Sequence, residues 1–248
     1  MNIFISNTQY LPYIQIIATL LVALFVFLVP QSASLWVLSF AIYAFIGCFG
    51  ISIGYHRLLT HRSFKTSKFW ERFCTLAGIL AFTGSSIGWV GMHRQHHKYS
   101  DKPGDPHSPV IHGAKMLIAS YDFDPNRWRV RYLITDKFHL FIHKYYFLIL
   151  ILWALFWALF GLNYLMYIVI IPAVISVWVS TISNYTNHKW GYTNYKTTDT
   201  SKNLWINALF TFGEGWHNNH HARPGNYNFG VKWWEVDLGA LVIDCIKK

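Results

Sequence analysis

The chain has 248 residues and a net charge of +10; 53% of its residues are hydrophobic, 19% aromatic and only 13% charged. Soluble domains carry about 25% charged residues, so half that share excludes a disordered chain, a coiled coil and most water-soluble enzymes, and points to a membrane. The length suits one domain over residues 1–248.

Apolar runs come first in the chain. A hydrocarbon core of about 30 Å takes roughly 20 helical residues to cross. Segments 11–29, 35–53, 145–160 and 162–183 reach or approach that length, and none contains Asp, Glu, Lys, Arg or His. Pro30-Gln31-Ser32-Ala33-Ser34 joins the first two and a turn around Gly161 joins the second two, so each pair predicts a helical hairpin. The N-terminus lacks the basic region of a signal peptide, so the first segment is expected to be retained. A fifth apolar stretch, 73–90, is interrupted by Gly84-Ser85-Ser86, and a crossing there would separate His93 and its surroundings from the other polar segments. It is expected as a helix lying in the interface or beneath the polar portion.

Charge then orients the chain. All 21 Lys and Arg lie in 57–144 or 189–248, with none in 1–56, in the spans or in the hairpin turns. The positive-inside rule places both termini and the long central segment in the cytoplasm. The basic balance suits anionic headgroups, and no nucleic-acid motif accompanies it. Cys48, Cys74 and Cys245 stand far apart without a Cys-x-x-Cys, which supports neither a disulfide framework nor a thiolate metal site and fits a reducing compartment. Near the end, Trp233-Trp234 and 238–243 read either as an amphipathic helix on the membrane or as a core-packing helix.

Histidine carries the chemistry. Gly54-Tyr55-His56-Arg57-Leu58-Leu59-Thr60-His61 contains an H-x4-H, while His93-Arg94-Gln95-His96-His97 and His217-Asn218-Asn219-His220-His221 each form an H-x2-H-H. Steps of three and four return to one helix face, so an H-x2-H-H can aim three imidazoles at one point. Five residues turn an α-helix about 140° past a full turn, so His56 and His61 need a helix end or two different ions. The expected topology brings all three boxes to the cytoplasmic side, where Asn184 and His188 also emerge from the fourth span.

Imidazole suits zinc, copper, iron and nickel, and structural zinc sites are commonly rich in cysteine. Eight box histidines plus His188 exceed the coordination of one ion and fit two. A carboxylate-bundle di-iron site needs two Glu-x-x-His motifs; this chain has one, Glu214 to His217, and no carboxylate in a span. A histidine-rich dinuclear site remains, and iron is the metal suited to oxygen chemistry beside lipid.

These boxes, in this order and with two hairpins, resemble the membrane fatty acyl desaturases, and most closely their delta-9 (stearoyl-type) branch. The words that carry the resemblance are Gly-Tyr-His-Arg-Leu-Leu-Thr-His at 54–61, Trp-Val-Gly-Met-His-Arg-Gln-His-His-Lys-Tyr-Ser-Asp at 89–101, Asp105-Pro106-His107, and Gly-Glu-Gly-Trp-His-Asn-Asn-His-His-Ala at 213–222. It covers about residues 35 to 245. The resemblance implies an all-α membrane protein with four transmembrane helices in two hairpins under a cytoplasmic helical cap. It also implies two iron ions held by His56, His61, His93, His96, His97, His188, His217, His220 and His221, with Asn184 acting through water. No catalytic residue beyond these ligands is expected.

The implied activity is a mixed-function oxidase that takes O2 and two electrons and removes two hydrogens from adjacent methylenes of a saturated C16 or C18 chain, leaving a cis bond at delta-9. The same boxes also serve membrane hydroxylases of alkyl or sterol substrates. A metal transporter would need carboxylate or imidazole ligands within the spans, which contain no Asp, Glu or His. Val90-Gly91-Met92 stands where acyl-CoA members carry charged residues, which leans toward an acyl-lipid substrate over acyl-CoA. The stretch 108–135 departs from the family wording. Electrons are expected from a separate protein of ferredoxin or cytochrome b5 type. His107, His112, His139 and His143 match no ligand position, and His107 reads as a loop residue after Pro106. Glu214 is either an acceptor for a ligating imidazole or a helix-start residue, and Trp89 either lines the acyl tunnel, binding substrate, or sits at the membrane edge.

Overall fold

A computed structural model describes residues 11–28, 31–118 and 126–248. The first helix, α1, spans Leu11–Leu28; Val29, where the first span was expected to end, and part of the 108–135 stretch lie outside the described residues. Helix α2 runs from Ala33 to Thr60. Ser32 starts it by accepting the Leu35 N–H on its hydroxyl, which satisfies one otherwise unpaired donor of the first turn. From Ile46 onward the hydrogen bonds shift to the π-helical i→i+5 pattern.

Helices α3 (Lys68–Ile79) and α4 (Ser86–Tyr99) follow. The 73–90 stretch, expected as one helix, is therefore two. Phe82 and Gly84 adopt left-handed backbone, φ 59° and 105°, which turns the chain, and Ser85 then caps α4 by accepting the Gly88 N–H. Beyond short helical turns at Pro109–His112, Gly113–Leu117 and Arg127–Val130 come α5 (Lys137–Lys144) and α6 (Tyr146–Ala158). Helix α7 covers Leu162–Asn187, with a π-helical stretch at Leu165–Ile170. The last helices are α8 (Trp205–Phe210), α9 (His217–Ala222) and α10 (Leu238–Ile246). Among the described residues there is no strand beyond isolated bridges.

Among the described residues two helices, α2 and α7, are long and apolar enough to cross a membrane. The third expected span differs: α6 alone is about 20 Å long at 1.5 Å per residue, and it is bent by 67° from α5, the two together passing the length test as a broken pair. The bend falls where Lys144 ends the polar segment and the apolar run begins. The first expected span is a shorter apolar helix over Tyr13–Leu28.

Apolar helices meet through specific contacts. Phe25 of α1 and Trp36 of α2 each meet the Tyr167 ring of α7 edge-on at 5.4 Å, and Trp178 Nε1 donates to Thr19 Oγ1 at 2.9 Å. The main core lies where α2, α3, α4 and α10 converge, around Ile53, Tyr55, Cys74, Ile87, Val90 and Ile243. Glycine sets the closest approach there: a Cβ on Gly50 would lie 2.6 Å from the Gly78 backbone, and one on Gly78 would strike the Tyr55 ring. Gly239, Ala240, Ile243 and Ile246 of α10 are buried, so of the two readings of 238–243 the core-packing helix holds. The shorter helices gather at the C-terminal ends of α2 and α7, which deliver His56, His61 and His188.

Candidate metal centre

Two groups of imidazoles meet where these helices gather. The ligand atoms of His56, His61, His93, His97 and His220 all lie within 4.8 Å of one another, and so do those of His96, His188, His217 and His221. The nine histidines singled out from the sequence are thus divided five and four between two adjacent groups.

An H-x2-H-H can aim three imidazoles at one point, but neither box here keeps its three together. On α4, His93 and His97 go to the first group and His96 to the second; on α9, His217 and His221 go to the second and His220 to the first. In each box the i,i+4 pair shares a group and the intervening histidine crosses to the other. The two helices therefore exchange one imidazole each. His56 and His61 share a group because the H-x4-H ends a π-helix: the His61 N–H donates to the His56 carbonyl at 3.1 Å, and the rings lie 4.8 Å apart. Of the two solutions open to an H-x4-H, the helix end is the one adopted.

Carboxylates hold four of the rings from behind. His56 Nδ1 pairs with Glu214, His96 Nδ1 with Asp105 at 3.0 Å, His188 Nδ1 with Asp101 at 3.1 Å and His221 Nδ1 with Asp199 at 2.8 Å. An ionised carboxylate only accepts, so each of these Nδ1 atoms carries the proton and each Nε2 is left with a lone pair. Nε2 atoms converge within each group: His56 lies 3.0 Å from His220, His220 3.0 Å from His97, and His188 3.2 Å from His217. Nε2 of His61, His96 and His221 is buried without a hydrogen-bond partner. Lone pairs packed this closely, with buried acceptors unpaired, fit a cation at each group and fit poorly with an empty polar core.

Electrostatics agrees. Burial, and after it the neighbouring imidazoles, hold His61, His93, His97, His217 and His220 well below the ordinary histidine range. Burial also pushes His221 down to about 4, although Asp199 pulls the other way. Neutral imidazole is the form that binds metal. Burial is the largest single influence on the Asp105 carboxyl and raises it, but the hydrogen bond and charge of His96, with His107 and the Asp101 N–H, together leave the group lowered to about 2. Against the same upward push, His188 and His221 hold Asp101 and Asp199 well below the usual carboxylate range.

Residues outside the nine take definite places. Glu214 receives His56, Ser52 Oγ at 2.6 Å and Arg57 at 3.2 Å; α9 begins only at His217, so Glu214 is the imidazole acceptor and not a helix-start residue. Asn184, one turn before His188, donates from Nδ2 to the His107 carbonyl at 3.1 Å. His107 sits in the loop as expected, yet its ring stacks on His96 at 4.4 Å and burial lowers it to about 3. Trp89 stacks on His93 at 4.8 Å. Sequence reasoning passed over Asp101, Asp105 and Asp199 as holders of imidazoles. The first two had a signal, since both lie within eight residues of His97 in polar wording; Asp199 had none.

A cavity of about 240 Å³ runs from these groups between α1, α2 and α7. His56 and His93 of the first group and His217 of the second open onto it, as do Trp89, His107 and Asn184. Ile14, Ile51, Ile170 and Val174 give it apolar walls farther along.

Comparison with known proteins agrees with the resemblance drawn from the boxes. The fatty acid desaturase family profile matches residues 33–240. The chain is 38% identical to the sn-1 stearoyl-lipid 9-desaturase of Synechocystis sp. over 233 residues, covering 90% of this chain and 72% of the relative. It is 36% identical to delta-9 acyl-lipid desaturase 2 of Arabidopsis thaliana, covering 85% and 71%, and 35% identical to the acyl-CoA C20 delta5-desaturase of Anemone leveillei, covering 86% and 71%. A profile that spans both imidazole groups and the helices delivering them, with relatives aligned over most of its length, makes this chain a member of the fatty acid desaturase family, iron-dependent oxidoreductases acting on acyl chains.

Proposed function

We propose that this enzyme inserts a cis double bond at delta-9 into a saturated C16 or C18 chain esterified to a membrane lipid, using O2 and two electrons from a separate ferredoxin- or cytochrome b5-type protein. The observation that carries the reading is the cavity, whose walls are apolar along α1, α2 and α7 and whose end meets both imidazole groups. Two of the three relatives described act, by name, on acyl lipids at position 9. Val90-Gly91-Met92 adds no charge for a CoA phosphate.

In this reading two irons are held, one by His56, His61, His93, His97 and His220, the other by His96, His188, His217 and His221 with Asn184 acting through water. The iron pair supplies the O2-derived oxidising power that removes two hydrogens from neighbouring methylenes. The chain's own residues position and exclude water. Trp89, packed on His93, lines the approach of the acyl chain, while Asp101, Asp105, Asp199 and Glu214 keep four imidazoles in the Nδ1–H form. Four spans at 11–29, 35–53, 145–160 and 162–183, in one domain, place both termini and the site in the cytoplasm, in accord with the absence of Lys and Arg from 1–56.

Expression in a desaturase-deficient host, followed by gas chromatography of total fatty acids, tests the reading. Appearance of delta-9 monoenes supports it; hydroxylated chains, or no change with the protein present in the membrane, would overturn it.

A further inference from the structure

Helix α8, Trp-Ile-Asn-Ala-Leu-Phe, has no charge, and four of its six side chains face outward: Trp205 is 63% exposed, Ile206 37%, Leu209 52% and Phe210 53%. The face continues onto Trp233 and Trp234, 89% and 49% exposed, and Trp205, Leu209, Trp234 and Val236 line one shared depression. A contiguous apolar surface of this kind marks an interaction site.

Hydrogen bonds set where that face lies. Asn207 Nδ2 donates at 2.7 Å to Thr186 Oγ1 and to Asn187 Oδ1, in the last turn of α7. The Phe210 carbonyl accepts the Tyr43 hydroxyl from the first half of α2. The Phe212 ring packs 6.1 Å from the Tyr43 ring and occupies the space a Cβ on Gly47 would need. Tyr43 precedes His56 by 13 positions, roughly 15–20 Å along the helix axis. So α8 starts level with the histidine groups and descends beside two long apolar helices.

We propose that α8, together with Trp233 and Trp234, is a non-spanning shelf buried in the cytoplasmic leaflet, and that the partner covering it is the lipid bilayer itself. This rests on the reading that α2 and α7 span that bilayer, since their spanning segments set the depth. Charge at the rim is complementary to headgroups: Lys232 Nζ lies 4.8 Å from the Tyr192 ring and 5.2 Å from the Trp234 ring, and Lys189 precedes the exposed Trp190. Tryptophan with neighbouring lysine is the pairing that settles at the boundary between acyl chains and headgroups. The shelf leads through Gly213 and Glu214 directly into His217, His220 and His221. Lipid contact on α8 thereby anchors the segment that supplies both imidazole groups.

Spin labels on the 248-residue chain test this, in a Cys245→Ser background where Cys48 and Cys74 are buried. Leu209→Cys and, separately, Ile206→Cys carry the nitroxide, with Phe40→Cys on the exposed face of α2 and Lys98→Cys on α4 as references. The chain is reconstituted in phosphatidylcholine bilayers containing phosphatidylglycerol, and collision rates with oxygen and with a water-soluble nickel chelate are compared. At positions 209 and 206 oxygen collisions should exceed nickel collisions, as at position 40 and opposite to position 98. Nickel preference at both, with position 40 still favouring oxygen, overturns the shelf while leaving the spans intact. Nickel preference at position 40 as well overturns the spanning reading and the shelf with it. Label–label broadening at position 209 that disappears on dilution with unlabelled chain would assign the face to a second copy and also overturn the proposal.

Discussion

His97 and His220 stand 123 residues apart in the chain, yet their Nε2 atoms lie 3.0 Å from each other. Helix α4 gives two histidines to the first group and one to the second, and α9 does the reverse. Each group thus depends on both helices, and no single box assembles a centre. Loss of one ligand is expected to disturb a shared structure rather than a local one.

Purified protein should hold close to two irons per chain by mass spectrometry. His96→Ala and His220→Ala each remove a ligand from a different group, and each should abolish desaturation while leaving membrane insertion intact. Full activity with two zincs and no iron would sink the iron assignment.

Asp199→Asn tests the carboxylates behind the imidazoles. It keeps the shape of the Asp199–His221 contact but removes the charge that fixes the Nδ1–H form. Iron affinity or turnover should fall about 10–100-fold, the usual cost of losing such a partner. A variant with unchanged iron content after competition with a chelator would show that Asp199 is only a packing residue.

Acid stability should carry a signature of Glu71, away from the histidine groups. The His139 imidazole, 3.8 Å away, and the Lys68 ammonium, 2.7 Å away, act against burial and lower its carboxyl from 4.5 to about 2. A depressed folded-state value contributes stability that is complete above the unfolded value and is lost as pH falls toward the folded one. The gap in Tm between the parent and Glu71→Gln should therefore be constant above about pH 5 and close progressively between about pH 4.5 and 2. A gap that persists unchanged to the acid end of that window would rule the pair out as a contributor.

Sidedness follows from the charge partition. Tags at Gln31-Ser32 and at Asn163 should be reachable from outside the cytoplasm, and a tag near Lys102 should not. Labelling near Lys102 from outside would place α3 and α4 on the wrong face.

Carrier and bond position are separable. C16 and C18 saturated chains should both yield products unsaturated at the same carbon counted from the carboxyl, delta-9 in each case. A bond at constant distance from the methyl end would mean that the far end of the chain sets the position, and would defeat the delta-9 reading. Supplying acyl-CoA and acyl-phospholipid as sole substrates decides the carrier, and robust turnover of the CoA ester alone would defeat the lipid-ester reading.

What the sequence by itself determined are properties that live in short windows or in composition. The apolar runs that become α2 and α7, the distribution of Lys and Arg, and the H-x2-H-H words need only a few neighbouring residues to be read, and they sufficed to identify the desaturase family. Tertiary structure alone decided how those words are used. Whether His96 faces its own box or the opposite group depends on how α4 and α9 cross, and no local spacing encodes a crossing. The pairing of His61 with His56 depends on a π-helical stretch, Ile46–Thr60, whose hydrogen-bond pattern the spacing of the two histidines does not reveal. Asp199 reaches His221, and Glu214 reaches His56, only because the chain folds distant segments into one buried polar core, where a carboxylate finds its partner by proximity in space.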